Sequence, residues 1–289
     1  MAKLKFEELL NAGVHFGHLK RKWNPAMAPY IFDEKKGIHI IDLNKTILKI
    51  EEAANAMKQI AKSGRKILFV ATKKQAKEIL ESNVSETRMP FISERWPGGM
   101  LTNFKTTRKT IRKMSTIDKM MKDGTADTMS KRERLQMTRQ RQKMEKIFGC
   151  VVDMSRLPAA IFIVDIKKEH IALAEARNLG IPVFAMVDTN SNPTGVDFII
   201  PSNDDATKSI ELVLSTICNA VKEGLEERKA SKDKADADAQ KAKAAKEAAA
   251  VEAKAKAEAE AKAKAKAEAE AKAKAEETEV VAEKSEETK

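Results

Sequence analysis

Short segments that are apolar at nearly every position recur along the chain and alternate with longer amphipathic segments. The apolar segments predict buried β-strands at residues 66–71, 89–92, 159–164, 183–187 and 198–200. The amphipathic segments predict helices at residues 6–11, 74–82, 170–179 and 204–226. Strands without a polar face, separated by helices, are typical of a parallel sheet that is covered on both sides. The pattern therefore predicts a doubly wound α/β domain.

The segment 14–32 mixes aromatic and cationic residues and precedes the first of these strands. Gly17 and Pro25 interrupt it, so we expect an ordered loop without long regular elements. After this loop, a β-branched run at residues 37–41 is followed by a helix that Asn44 is placed to cap. We interpret this pair as a first strand–helix unit of the same repeat.

The region between the second and third predicted strands has a different pattern, with one narrow apolar stripe in each of two helices. The first helix runs from Phe104 to Met121, Asp123-Gly124 supplies a turn, and Ser130 with Glu133 predicts a capping box for the second. The stripes consist of Ile111, Met114, Ile117 and Met121 in the first helix and Met137, Met144 and Phe148 in the second. Two such helices pair as an antiparallel hairpin, a short coiled coil inserted in the α/β domain.

The end of the chain is of low complexity, with alanine alternating with lysine or glutamate. A charge at every second position surrounds a helix completely and leaves no apolar stripe for packing, so this tail should be a solvated helix or disordered. We divide the chain into residues 1–104 and 149–228, which form the α/β domain, residues 105–148, which form the inserted hairpin, and the tail, residues 229–289.

Charge is distributed unevenly, and this indicates a class of partner. The formal net charge is +11, but the tail contains 15 lysines and 15 acidic residues and is neutral. Residues 105–146 contain 14 basic and 5 acidic residues, a local net charge of +9. A cationic segment of this density favours a polyanion, because each neutralised phosphate releases condensed counterions. The hairpin is therefore predicted to bind nucleic acid.

Three groups of residues are candidates for RNA binding, because they combine cations with aromatic rings, glycines or amides. The N-terminal strip consists of His15, His18, Lys20, Arg21, Lys22, Trp23 and Asn24. The loop before the hairpin contributes Arg95, Trp96, Gly98, Gly99, Asn103 and Lys105. The hairpin contributes Arg108, Lys109, Arg112, Arg139 and Arg141.

Enzymatic chemistry finds less support in the sequence. The turn after the first long strand, residues 71–75, reads Ala-Thr-Lys-Lys-Gln and has no glycine to bring the backbone close to a phosphate. Carboxylates do follow the predicted strands, where open α/β sheets bind ligands. We predict no required cofactor, and we name Asp188, Asp204 and Asp205 as a candidate site for a divalent cation, magnesium or zinc.

The cellular compartment is suggested by features of the whole chain. Cys150 and Cys218 are far apart and lack metal-ligand spacing, so a reducing compartment without disulfides is expected. The N-terminus has no apolar signal core, and the longest apolar runs are much shorter than a membrane span. We therefore expect a cytoplasmic protein with no membrane partner.

Four blocks of sequence resemble a known family. They read AGVHFGHLKRKWNPAMAPYIF from Ala12, HIIDLNKT from His39, RWPGGMLTNFKT from Arg95, and NLGIPVFAMVDTNSNPTGVDFIIPSNDD from Asn178. Together they closely resemble the ribosomal protein S-two family of the small ribosomal subunit. The resemblance implies a flavodoxin-like parallel sheet with an inserted helical hairpin and no catalytic activity.

The resemblance also implies the partners of the protein. It implies binding to 16S rRNA between the head and the body of the 30S subunit, beside neighbouring small-subunit proteins and the docked ribosomal protein S-one. No homo-oligomer is expected. The alternative, of a different class, is a flavodoxin-like enzyme or sugar-phosphate binder that uses the carboxylates at the strand ends.

Overall fold

The computed structural model describes residues 4–124 and 129–233 of the chain. The described residues up to Lys229 form one compact unit. The predictions made for the tail beyond residue 233 fall outside the described residues. None of the helices in the described ranges is long and apolar enough to cross a membrane.

The strands and helices lie close to their predicted positions. The strands are β1 Phe16–Leu19, β2 Ile31–Lys35, β3 Ile38–Ile41, β4 Ile67–Val70, β5 Phe91–Ile92, β6 Ala160–Val164, β7 Val183–Val187 and β8 Phe198–Pro201. The helices are α1 Phe6–Asn11, α2 Leu43–Lys62, α3 Lys74–Ser85, α4 Phe104–Lys122, α5 Lys131–Phe148 and α6 His170–Asn178. A further helix, α7, occupies residues 207–233 of the described chain.

Five strands form a parallel sheet in the order β5-β4-β6-β7-β8. Numbered along the chain, this order is the 2-1-3-4-5 order of flavodoxin-like sheets. The predicted doubly wound α/β fold is therefore confirmed. At the switch point of this topology β4 lies beside β6, and the crevice outside their carboxyl ends is where such folds bind ligands.

The two faces of the sheet are covered by separate apolar clusters, because successive strand residues point in opposite directions. In β4, for example, Ile67 and Phe69 belong to the cluster under α1, α2, α3 and α7, whereas Leu68 and Val70 belong to the second cluster. The second cluster is covered by α6, by the base of the hairpin and by Met27 of the N-terminal segment. All the strand residues of β4, β6 and β7 are buried, which explains why these strands have no polar face in the sequence.

Helix α2 is long and lies directly against α7. It starts one residue before Asn44, and the side chain of Asp42 accepts a hydrogen bond from the Asn44 amide at 3.0 Å, so Asp42 and not Asn44 caps the helix. Gly224 allows the close contact with α7, because a Cβ atom at this position would lie 2.5 Å from the backbone oxygen of Lys58. The helices therefore touch backbone to backbone at this point.

The prediction for residues 14–41 is corrected by the structure. The expected loop contains strands β1 and β2 and two short 3₁₀ helices, Lys20–Lys22 and Pro25–Tyr30. The run expected as the first strand of the parallel sheet, β3, is instead the central strand of a small antiparallel sheet with the order β1-β3-β2. Gly17 and Pro25, which suggested a loop, are compatible with short strands separated by turns.

The inserted region consists of the two expected helices. Ser130 and Glu133 form the predicted capping box at the start of α5. Met114, Ile117 and Met144 are buried in a small cluster of their own, with Met137 and Phe148 packed against it. Met121 is more exposed than predicted, at 37%.

Candidate functional site

In the N-terminal strip the cationic side chains are exposed to solvent, whereas the aromatic rings are partly buried. Lys20, Arg21 and Lys22 are exposed, and the Lys20 Nζ lies 2.7 Å from a Glu34 carboxylate oxygen. Trp23 is half-buried, with its ring centroid 5.1 Å from that of His39. The three cations form the 3₁₀ turn Lys20–Lys22 and therefore lie next to one another.

Other members of the strip have structural contacts. The side chain of Asn24 accepts a hydrogen bond from the Ala26 amide at 2.9 Å and so caps the next 3₁₀ helix. The His15 ring lies 4.0 Å from the Phe16 ring, and burial lowers the pKa of His15. A neutral His15 is suited to stacking and not to an ionic contact.

The loop before the hairpin is folded around a buried glutamate. The Glu175 carboxylate on α6 accepts hydrogen bonds from the Trp96 indole Nε1 and from the backbone amides of Gly99, Leu101 and Thr102, at distances of 2.7 to 3.1 Å. Trp96 is buried, so its ring fills the domain instead of facing a partner. The parts of the predicted RNA loop that remain exposed are Arg95, Gly98, Asn103 and Lys105.

The hairpin cations fall into two groups. Arg108 donates a hydrogen bond to the backbone oxygen of Ser155 at 2.7 Å, and Arg141 bonds to Asp118 and Glu145 at 2.5 and 2.7 Å. These two arginines hold the hairpin to the domain and its helices to each other. By contrast, Lys105, Lys109, Arg112 and Arg139 are exposed, and within the described residues their side chains have no hydrogen-bond or ion-pair partner.

The end of the N-terminal strip and the base of the hairpin pack on the same face of the sheet. Met27, just after the strip, belongs to one apolar cluster with Trp96, Met100 and Leu101 of the loop that leads into α4. Val151 and Met154, just after α5, belong to it as well. Met27 therefore attaches the end of the strip to the cluster that holds the base of the hairpin, whereas Val14, just before the strip, belongs to the cluster on the other face of the sheet.

A charged cluster lies at the switch point, at the carboxyl ends of the parallel strands. His18 Nδ1 lies 2.8 Å from Asp188 Oδ2, and His18 Nε2 lies 3.3 Å from Asp205 Oδ2. The Lys73 Nζ lies 2.8 Å from Asp204 Oδ1, 2.6 Å from Asp205 Oδ1 and 3.6 Å from Asp165 Oδ2. The cluster thus connects β1 of the small sheet to the four loops that follow β4, β6, β7 and β8.

Electrostatics within this cluster alter the protonation of its members. The hydrogen bond to Asp188 raises the pKa of His18, although partial burial opposes the shift. Burial and the neighbouring carboxylates of Asp165 and Asp188 raise the pKa of Asp204 to about 7, despite the attraction of Lys73. Burial by itself would lower the pKa of Lys73, but its bonds to Asp204 and Asp205 outweigh burial and raise it. Lys73 is therefore charged at neutral pH.

The predicted cation site is only partly assembled as expected. His18, Asp188 and Asp204 offer ligand atoms that all lie within 4.8 Å of one another, whereas Asp205 is half exposed and bonds to Lys73 and His18. Asp204 Oδ2 is buried and has no hydrogen-bond partner among the described residues. Nitrogen and oxygen ligands with one unsatisfied carboxylate oxygen fit a divalent cation.

An exposed aromatic surface lies beside the small antiparallel sheet. Phe6, Phe16 and Phe32 are 46%, 51% and 75% exposed, and they line a cavity of about 530 Å³ together with Leu10 and Ile38. Large apolar side chains that cluster on a surface mark a contact with another molecule. Aromatic residues and cations alternate through the whole N-terminal segment, so the sequence pattern alone did not separate this surface from the RNA strip.

Two residues that shape these sites were missed in the sequence. Glu175 lies on the buried face of α6, with Ala172 and Ala176, and a carboxylate within an apolar stripe was a signal for an internal partner. Lys73 follows a buried strand in a glycine-free turn, and nothing in the turn itself indicates its three aspartate partners.

Comparison with known proteins agrees with this architecture. A family model described as Ribosomal protein S2 matches residues 9–224. The chain is 64% identical over 236 residues to Small ribosomal subunit protein uS2 of Parabacteroides distasonis, covering 82% of this chain and 85% of the relative. It is 67% identical over 228 residues to the protein of that name from Azobacteroides pseudotrichonymphae, covering 79% and 87%. It is 62% identical over 232 residues to that of Bacteroides thetaiotaomicron, covering 80% and 84%.

Proposed function

The chain belongs to the ribosomal protein S2 family, and we propose that it is a structural, non-enzymatic constituent of the small ribosomal subunit. In this role it contributes to translation in the cytoplasm, among rRNA and other subunit proteins. Its α/β domain is a scaffold, and its cationic segments bind 16S rRNA between the head and the body of the subunit. The alternative, an enzyme or sugar-phosphate binder of the same fold, is not favoured by the family or by the glycine-free turn at residues 71–75.

The observation that supports RNA binding best is that the N-terminal strip and the hairpin are attached to the domain close to each other. Met27, at the end of the strip, and the base of the hairpin belong to one apolar cluster, so one folded RNA can contact both segments. Cations that are not neutralised by the protein remain available for phosphates. We assign phosphate contacts to Arg21, Lys22, Arg95, Lys105, Lys109, Arg112 and Arg139, with Gly98 and Asn103 at the loop between them.

We propose a divalent cation for the cluster at the switch point. Four aspartates face one lysine and one histidine, so carboxylates outnumber cations even when His18 is protonated. A cation held by His18, Asp188 and Asp204 reduces this excess and gives the unsatisfied Asp204 Oδ2 a partner. Its role is structural, because it joins the small sheet to the large one.

We propose that the exposed aromatic surface around Phe32 is where a neighbouring protein of the subunit docks. Exposed phenylalanines are unfavourable in water and suit an apolar or aromatic partner. The family resemblance suggests ribosomal protein S-one as a docked neighbour, and we propose this surface for it.

Association with the subunit is tested by sedimentation of the full chain. The protein is mixed with small subunits that lack it and run through a sucrose gradient. We expect it to move with the subunits and to be absent from the free fraction. A protein that stays at the top of the gradient, and instead is stabilised by a sugar phosphate in a thermal shift assay, contradicts the proposal.

The RNA contacts are tested by the salt dependence of binding to 16S rRNA. Replacing Arg112 and Arg139 by glutamine removes two phosphate contacts. The negative slope of log K against log salt should therefore become shallower by about 1.8. The matched control replaces Lys74 and Lys208, two exposed lysines on helices of the opposite face, and leaves the slope unchanged. Equal slopes for all three proteins exclude the hairpin as a phosphate-binding element.

A further inference from the structure

Glu175 is a buried carboxylate whose bonds all go to one loop. Its Oε1 atom accepts from the Trp96 indole at 3.1 Å and from the Gly99 amide at 2.7 Å. Its Oε2 atom accepts from the Leu101 amide at 2.9 Å and from the amide and hydroxyl of Thr102 at 3.1 and 3.2 Å. One side chain thus fixes both ends of the turn between Trp96 and Thr102.

Packing alone does not explain a glutamate at this position. Its neighbours on the same face of α6, Ala172 and Ala176, are fully buried in the apolar cluster, and a buried carboxylate without partners is strongly unfavourable. Burial would raise the pKa of Glu175, but its hydrogen bonds from Thr102, Trp96, Leu101 and Gly99 outweigh burial and lower it. The carboxylate is therefore ionised at neutral pH and attracts every donor of the turn.

The turn leads directly into the first helix of the hairpin. Asn103 follows it and bonds through its amide to the Gly99 oxygen at 2.8 Å, and α4 begins at the next residue. One turn further along α4, Arg108 is attached to the Ser155 oxygen at 2.7 Å, on the segment that returns from the hairpin. The direction in which α4 leaves the domain is thus fixed at two points, and Glu175 provides the first.

We propose that Glu175 is a positioning residue for RNA binding, which sets the direction of the hairpin so that its exposed cations reach phosphates together with the N-terminal strip. This inference rests on the proposed function, because it assigns Glu175 a role only if the hairpin binds RNA. Glu175 itself touches no RNA. Its effect is transmitted through the turn and through the first residues of α4.

The substitution Glu175→Gln tests this proposal in the full chain. Glutamine has the same shape, but it offers one acceptor oxygen, so its NH₂ group faces either the Trp96 and Gly99 donors or those of Leu101 and Thr102. We expect binding to 16S rRNA to weaken about tenfold, with a salt slope reduced by about 0.9 for each phosphate that the hairpin no longer neutralises. A role limited to stability would lower the folded fraction and leave the slope as in the unmodified protein.

The matched control is Glu169→Gln, at the N-cap position of the same helix, where the side chain makes no capping hydrogen bond. Glu169 is also buried, but it bonds to the Thr72 hydroxyl and not to the turn. This variant is expected to keep the salt slope even where it lowers the melting temperature. A slope that falls equally in both variants overturns the assignment to Glu175.

A second variant and a second measurement keep the test informative if Glu175→Gln folds poorly. Glu175→Asp retains the charge with a shorter side chain and is expected to restore part of the slope. Hydrogen exchange should show reduced protection at the amides of Gly99, Leu101 and Thr102 in Glu175→Gln and not in Glu169→Gln. If the unmodified protein fails to bind 16S rRNA, the proposed function is refuted. If the unmodified protein binds and both Glu175 variants have the same salt slope as it does, this inference alone is refuted.

Discussion

Gly17 in β1 lies where the small antiparallel sheet meets the large parallel one, and Gly17→Ala should destabilise this contact. A Cβ atom at Gly17 would lie 2.7 Å from Thr189 Cγ2, 2.8 Å from Thr189 Oγ1 and 3.0 Å from the His39 backbone oxygen. Favourable contacts between carbon atoms begin near ~3.5 Å, so the methyl group overlaps a fully buried side chain. Overlap of this kind costs about 1–3 kcal/mol, whereas replacing glycine in a strand gains about 0.5–1 kcal/mol.

The overlap therefore outweighs the gain, and we expect Gly17→Ala to lower the free energy of unfolding by about 1–2 kcal/mol. Thr189→Ala costs about 1 kcal/mol by itself, because the His18 amide donates to Thr189 Oγ1 at 2.8 Å. Together the two changes remove most of the overlap, so a double-mutant cycle in urea should show a coupling of about 1 kcal/mol that favours the double variant. Strictly additive effects would refute the steric explanation.

Two further predictions concern the switch-point cluster and helix α7. Titration with zinc or magnesium should raise the melting temperature of the protein until the site is saturated. The substitution Asp188→Asn should remove most of this rise. A titration curve of Asp188→Asn like that of the unmodified protein would show that the cation binds elsewhere. Gly224→Ala should destabilise by about 1–3 kcal/mol in urea unfolding, because the backbone of Lys58 blocks the new Cβ atom, while Gly149→Ala, whose new Cβ would only touch Glu145 Cγ at 3.6 Å, should be neutral or stabilising.

The parallel sheet could be predicted because burial on both faces leaves its strands without polar residues. Strand β7 was predicted at residues 183–187 and is found as Val183–Val187, and the capping box of α5 was predicted from Ser130 and Glu133 alone. Both depend on residues that are adjacent in sequence. The small sheet was missed because β1 to β3 have only four or five residues each and pair across turns that resemble a loop.

In the candidate site, the types of the exposed residues could be predicted from the sequence, but the contact partners of its buried residues could not. Exposed cations such as Arg112 and Arg139 follow from the charge of the hairpin helices, which local sequence shows. The partner that holds Trp96 inward could not be predicted, because Glu175 is 79 residues away along the chain. His18 was grouped with the RNA strip for the same reason, since its contact with Asp188 spans 170 residues.

The attachment of the first strands to the end of the domain has a consequence during synthesis. The Asn24 amide bonds to the Thr189 oxygen at 2.8 Å, and the Asn203 amide bonds to the Val14 oxygen at 3.1 Å. The His18 amide finds its partner 171 residues later, which at ribosomal speeds corresponds to a wait of roughly 9 to 35 seconds. For that time the nascent N-terminal segment has no docking site, and its phenylalanines are available to chaperones before they are available to the subunit.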